Sequence, residues 1–279
     1  CRKGGASDSK MLRAKITEVS ISAYPSVPDL WRPVSTCTES GRLMIWDGKP
    51  KFDYKPIKRV DSASGRVYDI NNEKLPSVTT ILGATRSADS QAKLAAWRQR
   101  EGEKKADKIR DDAAARGTIM HRILEGHIKG EGHMDLSDLG QEAGIMAQNI
   151  IDRGYFKLLS EVWGLEIPLW YPGLYAGACD VVGVYEGQPA IIDFKQSNKF
   201  KKEEWIDDYF IQCAAYAVAH NCVYNTTIQS GVILISVKGG NVLKYGATGK
   251  KFQHFMFEWL RRVDLYYEKK ESGIRDHST

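Results

Sequence analysis

DVVGVYEGQPAIIDFK, residues 180–195, opens on an acid, runs apolar, turns at Gly187 and ends a second apolar run in Asp193-Phe194-Lys195. Alternation through Val182, Val184 and Ile191 suits paired strands, and Glu186-Gly187-Gln188 supplies the turn, so the stretch predicts a β-hairpin carrying two carboxylates and a lysine. A buried charge without a partner is costly, so acids that end two apolar strands call for a cation. A divalent metal fits, because oxygen ligands suit magnesium or manganese. Lys195, two residues beyond Asp193, emerges on the same strand face. The plain alternative is a solvated strand end whose surface ion pair contributes little. The rest of the chain has to decide.

The sequence has 279 residues, 42% of them hydrophobic and 27% charged, which is the composition of a soluble globular protein. Its apolar runs, such as 231–235, are strand-length and far short of the roughly 20 residues of a membrane span. The net charge of +5 permits an anionic partner without requiring one. Five cysteines, Cys1, Cys37, Cys179, Cys213 and Cys222, form no C-x2-C pair. That pattern points to a reducing compartment and gives no support for structural zinc or an iron–sulfur cluster. The first ten residues lack an apolar core of the secretory kind and read as a flexible tail.

Residues 1–64 read as this tail followed by an irregular, partly β extension, with a strand-like piece at Arg42 to Trp46; its lysines at 49, 51, 55 and 58 suit a solvated surface, nucleic-acid contact being the alternative. A strand is expected over 65–70, a turn at Asn71-Asn72, and a helix capped by Ser77. Residues 88–126 predict one or two charged helices with Leu94 and Trp97 in contact. Trp97 beside Arg98 and Arg100 could stack on and pair with a single nucleic-acid strand, or mark a solvated face. His121 follows Gly117 on a helix, either as a core histidine or as a ligand. Another helix is expected over 137–159 with Ile145, Ile150, Ile151 and Leu158 inward. Glu166 sits between Leu165 and Ile167, either an edge residue or a third carboxylate of the site, and small residues at 176–178 would let something approach the backbone. A helix over 203–220 sets Gln212 and Tyr216 on one face with Ile211, Ala215 and Val218 as its apolar side. Strands at 231–237 and 241–247 follow. A last helix over 250–270 turns Phe252, Phe255, Met256, Trp259, Leu260 and Val263 inward.

Taken together, Gly117 to His121, Glu166, Asp180, Asp193-Phe194-Lys195 and Gln212-Cys-Ala-Ala-Tyr216 resemble the PD-(D/E)XK nuclease superfamily in its RecB-like branch. Leu75-Pro-Ser-Val-Thr79, Tyr175-Ala-Gly177 and Ile192-Asp-Phe-Lys195 look closest to the mitochondrial genome maintenance exonucleases and related phage exonucleases. The resemblance covers about residues 65–270 and rests on the order and spacing of short motifs. It implies an α/β fold, a three-layer core with a central mixed sheet flanked by helices over 65–279, and an arch-like helical insertion near 87–126. By the same resemblance Asp180 and Asp193 would be acidic metal ligands, His121 and the Phe194 carbonyl further ligands, Lys195 the catalytic lysine and Glu166 the upstream glutamate, with Glu161 its competitor. Gln212, Tyr216, Ser197, Trp97, Arg98 and Arg116 would meet the substrate. The implied activity is Mg²⁺-dependent hydrolysis of DNA, with Mn²⁺ able to substitute, acting on single strands from a free end. Duplex-end processing and a silent DNA-binding subunit are the alternatives. Cysteines stop at Cys222, which excludes the cluster some relatives carry. No membrane or obligatory protein partner is implied, and the expected setting is a phage protein in a bacterial cytoplasm, a mitochondrial one being the other option.

Overall fold

The computed structural model describes residues 46–276 apart from 63, 64, 71 and 134. The tail, Cys1, Cys37 and all but Trp46 of the strand expected at 42–46 lie outside the described residues; Trp46 itself is not in a strand.

Three short strands come first: β1 (Lys58–Ser62), β2 (Gly65–Ile70) and β3 (Glu73–Pro76), an antiparallel sheet of order β1-β2-β3. Four helices follow, α1 (Val78–Ala84), α2 (Ala88–Glu101), α3 (Glu103–Lys129) and α4 (Asp138–Asp152). Ser77 caps α1 as its type predicts, its Oγ accepting the Thr80 N–H at 2.9 Å. The charged stretch 88–126 divides at Gly102 into α2 and α3. No residue of α2 is buried and Leu94 is exposed, so the expected Leu94–Trp97 pair lies outside the core and this helix is solvated nearly all round.

The main sheet is built from β4 (Leu159–Tyr171), β5 (Tyr175–Tyr185), β6 (Gln188–Ser197), β7 (Ser230–Val237) and β8 (Val242–Thr248), in that spatial order. It is antiparallel except for β6 and β7, which run parallel because α5 (Asp207–Tyr224) carries the chain between them. α6 (Gly249–Asp276) closes the described chain. The hairpin of residues 180–195 is β5 and β6, and its turn puts Glu186 at φ 48° and Gly187 at φ 74°. Two successive positive φ values give the twist a tight hairpin favours, which glycine adopts without strain.

Helices cover both faces of the sheet. One layer joins α1, α5 and α6 through Ile81, Phe210, Cys213, Phe252 and Trp259. The other joins α3 and α4 through Met120, Leu124, Met146 and Ile150, against Val181, Ile192 and Phe194 of the sheet. The protein is therefore an α/β structure with a mixed five-stranded sheet between helical layers. Phe252, Phe255, Met256, Trp259 and Val263 are buried as the periodicity of α6 requires, each contributing roughly 1.5–3 kcal/mol of transfer free energy. On α4 Ile150 is buried and Ile151 packs against the core as expected, and Ala143, Met146 and Ala147 complete the inward side. Ile145 is exposed, and Leu158 falls in a 3₁₀ turn beyond the helix, so these two do not join that face. α5 is also buried on more sides than one apolar stripe would give, because a helix crossing over a sheet beneath α6 has little solvent side.

The end of the expected extension is tied to this body. Lys51 N–H donates to Trp163 O at 2.8 Å, Tyr54 Oη lies 2.9 Å from His220 Nε2, and Phe52 meets Trp163, His220 and Tyr224 edge-on or tilted. β1, before the expected boundary at 65, pairs residue for residue with β2.

Candidate active site

The strand registers bring the acids together. Leu165 pairs with Val181 and Ile167 with Cys179, which sets Glu166 opposite Asp180. The pairing of β5 with β6 ends at Val181 and Ile192; one step further, Asp180 would face Asp193. Glu166, Asp180 and Asp193 thus form a row across three neighbouring strands. At this row the ladder opens. Glu166 has φ 48°, a left-handed conformation unusual for a residue with a side chain and costing about 1–3 kcal/mol, the kind of strain that gathers at functional sites. On the other side, the Phe194 N–H has no strand partner on β5 and donates instead to Asp180 Oδ2 at 2.7 Å.

Helix α3 adds a histidine to these acids. His121 Nε2 lies 2.9 Å from Phe194 O. Its Nδ1 lies 3.4 Å from Asp180 Oδ1 and 3.6 Å from Glu166 Oε1. One ligand atom from each of His121, Glu166 and Asp180 falls within 4.8 Å of the others. Burial works against a charged His121 ring, but the Asp180 carboxylate and the contacts with Asp180 and Glu166 outweigh it, and the pKa is pushed up to about 10. Burial also opposes the charge on Asp180, yet facing the imidazolium and Lys195 it stays below its ordinary value. Glu166, desolvated and beside Asp180, is raised. Two converging carboxylates demand positive charge, which the His121 imidazolium supplies.

Asp193 and Lys195 form the second half of the site on β6. Asp193 is 1% exposed and ion-pairs with Lys195. Burial pushes the Asp193 pKa up to about 6 despite Lys195. The Lys195 ammonium overcomes its own burial because Asp193 and Asp180 face it, and it is held above the ordinary lysine value. Its Nζ also lies 5.3 Å from the centre of the Tyr209 ring, within cation–π range.

One cleft of about 420 Å³ is lined by His121, Glu166, Asp180, Lys195, Gln212 and Tyr216. Gln212 Nε2 donates to Tyr216 Oη at 3.1 Å, so the pair expected on one face of α5 is internally bonded at the cleft. The small residues before Asp180 admit that tyrosine: a Cβ at Gly177 would come within 2.8 Å of Tyr216 Cε1. Of the two glutamates in competition, Glu166 joins the cluster, while Glu161 accepts from Lys51 Nζ at 2.9 Å and Trp163 Nε1 at 2.7 Å.

Four residues expected to meet substrate are placed elsewhere. Arg116 is 5% exposed and spends its guanidinium on Gln196 Oε1 (2.7 Å), Asn198 Oδ1 (2.5 Å) and Glu142 Oε2 (3.0 Å), tying α3 to the end of β6 and to α4. Ser197 Oγ donates to Lys199 O at 2.7 Å within its own turn. Arg98 pairs with Glu103 and Asp107 between α2 and α3, and neither it nor the half-buried Trp97 borders the cleft. Conversely, Arg59, Arg66, Tyr68 and Arg122 do border it, though the sequence reading passed over them. Alternation of Arg66 with Tyr68 on a predicted strand, and Arg122 beside His121, were the available signals.

The donor set fits a hard divalent cation: one imidazole nitrogen and two carboxylates converge, and Asp180 is oriented from behind by the Phe194 N–H. No helix among the described residues is long and apolar enough to cross a membrane.

No family model matches the chain. It is 27% identical over 216 residues to mitochondrial genome maintenance exonuclease 1 of Homo sapiens, a match covering 71% of this chain and 60% of that protein. The Mus musculus protein of the same name is 26% identical over 246 residues, covering 81% and 66%. That of Xenopus tropicalis is 28% identical over 261 residues, covering 88% and 71%. The chain therefore spans about two thirds of the length of these curated relatives. Among solved structures, a Eubacterium rectale protein provisionally described as an exonuclease superposes with a TM-score of 0.42 at 15% identity, over 57% of this chain and 65% of that one.

Proposed function

We propose that this chain is a metal-dependent deoxyribonuclease of the PD-(D/E)XK type that hydrolyses single-stranded DNA from a free end. The observation that carries the reading is the convergence, in one cleft, of His121, Glu166 and Asp180 beside the Asp193–Lys195 pair. Similarity to relatives named as exonucleases supports it.

Magnesium or manganese would be held by Asp180, Glu166 and His121, with Asp193 and the Phe194 carbonyl at hand, and when bound it supplies charge neutralisation at the phosphate and a more acidic water. The chain's own residues divide the remaining work. Lys195, facing Asp193 and Asp180 at the cleft, is placed to orient or deprotonate the attacking water or to stabilise charge developing on the phosphate oxygens. Asp193 holds the ammonium in place from the same strand face. Gln212 and Tyr216 offer fixed polar groups on the α5 side of the cleft.

A cleft of about 420 Å³ has room for a nucleotide unit at the reacting centre. The test is incubation with end-labelled linear single strands, circular single strands and duplexes, with Mg²⁺, Mn²⁺ or EDTA. Metal-dependent loss of linear single strands alone is expected. Equal attack on circles would remove the free-end requirement, preference for duplex ends would make this a duplex-processing enzyme, and no product on any substrate would end the nuclease reading.

A further inference from the structure

One face of the small N-terminal sheet brings charge to the rim of the cleft. Arg59 of β1 stands opposite Tyr68 of β2, and Tyr68 opposite Leu75 of β3, so the three share a face. Arg66, two residues before Tyr68 on the same strand, shares it as well. Tyr68 and Leu75 are 3% and 2% exposed and pack on Ala176 of β5. The packed face of an antiparallel sheet is ordinarily apolar. Here it carries two guanidinium groups beside its small core, and both border the cleft of His121, Glu166 and Asp180.

This wall is fixed relative to the reacting centre. Arg66 O accepts the Ser77 N–H at 3.0 Å and Thr80 Oγ1 at 3.1 Å. Ser77 in turn bridges to Ala176, on the strand that bears Asp180. Arg122, exposed on α3 next to His121, borders the same cleft. Arginine's rigid fork of donors matches phosphate oxygens, and guanidiniums held near an acidic centre are placed to grip phosphates on either side of the one that reacts.

We propose that Arg59 and Arg66, together with Arg122, hold the sugar–phosphate backbone of a single DNA strand, so that the β1–β3 sheet is the substrate-gripping wall of the cleft. The inference rests on the nuclease reading for its choice of polyanion. The competing role for these arginines is countercharge to the acids of the cleft, and binding measurements separate the two.

The experiment measures fluorescence anisotropy of a labelled single-stranded oligothymidine with the full chain in EDTA, across a salt series. Each phosphate contact to a single strand contributes about −0.7 to the slope of log K against log salt. Arg59→Gln with Arg66→Gln is expected to weaken binding about tenfold or more and to flatten that slope by about 1.4, two contacts at roughly 0.7 each. Arg59→Lys with Arg66→Lys should keep the slope while losing some affinity. Should the double glutamine variant fail to fold, Arg59→Gln alone, at an exposed position, is read for a flattening of about 0.7. Unchanged affinity and slope in a folded glutamine variant would overturn the proposal and leave the arginines as countercharge. If wild type cuts no DNA with metal while the slope still falls, the nuclease reading fails and the gripping wall stands. If it cuts and the slope does not move, the reverse holds.

Discussion

Phe194 donates its backbone N–H to Asp180 Oδ2 over 2.7 Å, at the point where β5 and β6 cease to pair. The carboxylate does the work of a missing strand partner and is aimed by it, and the carbonyl of the same Phe194 lies 2.9 Å from His121 Nε2. One peptide residue thus orients two of the groups offered to a cation. The consequence separates shape from charge. Asp180→Asn keeps an acceptor for the Phe194 N–H, whereas Asp180→Ala strands it in a buried place, a loss of about 1–3 kcal/mol. Both substitutions should abolish metal-dependent cleavage, but only the alanine should lower the denaturation midpoint by that amount. Cleavage by Asp180→Asn at the wild-type rate would remove Asp180 from the site.

The His121 ring has an acceptor at each nitrogen, Phe194 O on one side and the Asp180 and Glu166 carboxylates on the other, and its pKa is pushed up to about 10. A ring nitrogen must lose its proton to ligate, so Mg²⁺ or Mn²⁺ binding near pH 7 should release about one proton. Calorimetric titration in buffers of different ionisation enthalpy reads this directly, and His121→Asn should lose the release. The same shift fixes the sign of a stability effect in the metal-free protein. A histidine pKa raised by folding stabilises fully below its ordinary value of 6.5, and that contribution disappears as pH rises towards about 10. Wild type should therefore lose more stability than His121→Asn between those pH values. Parallel curves for the two proteins would count against a charged His121.

The Asp193–Lys195 pair is buried enough that its halves depend on one another. Removing one partner from such a pair typically costs 3–5 kcal/mol, because the other charge is left alone. Lys195→Met should show that loss in urea denaturation, and Lys195→Met with Asp193→Asn should recover much of it. Activity should behave differently and stay lost in both variants. Recovery of cleavage in the double variant would mean that the pair is structural only.

These residues were legible in the sequence for unequal reasons. The hairpin announced itself through alternation and a turn, and Asp180, Asp193 and Lys195 came with it, since strand position fixes which side chains can share a row. For His121 and Glu166 the residue types left two readings each and only the resemblance singled them out; the register that sets Glu166 opposite Asp180, and its left-handed backbone, are not encoded in any pattern of residue types. Trp97 with Arg98, and Arg116, looked suited to a nucleic-acid strand by composition. Whether a guanidinium is free depends on what folds beside it, and Arg116 is surrounded by Glu142, Gln196 and Asn198 from distant parts of the chain. Arg59 and Arg66, which do border the cleft, were overlooked for a different reason. On the sequence they sit in a stretch of ordinary surface composition, and only the packing of Tyr68 and Leu75 on Ala176 brings their face to the cleft.

Gly177 provides a test of how tightly the α5 groups are seated. A Cβ there would approach Tyr216 Cε1 to 2.8 Å, Tyr216 Oη to 3.2 Å and Val78 Cγ2 to 3.3 Å, so contact is too close on two sides for a small adjustment to relieve it. Tyr216 is itself 3% exposed, with little room to withdraw. Gly177→Ala should therefore destabilise the protein by about 1–3 kcal/mol, the usual range for overpacking. It should also disturb the Gln212–Tyr216 bond of 3.1 Å at the cleft wall. Reduced cleavage with a raised KM for oligonucleotide is the expected kinetic signature, since this pair borders the site without belonging to the acidic cluster. Gly246→Ala is the matched control, because a Cβ at that β-strand glycine meets nothing within 4 Å. If both alanine variants melted and cut like wild type, the close packing of Tyr216 on β5 would not constrain the site.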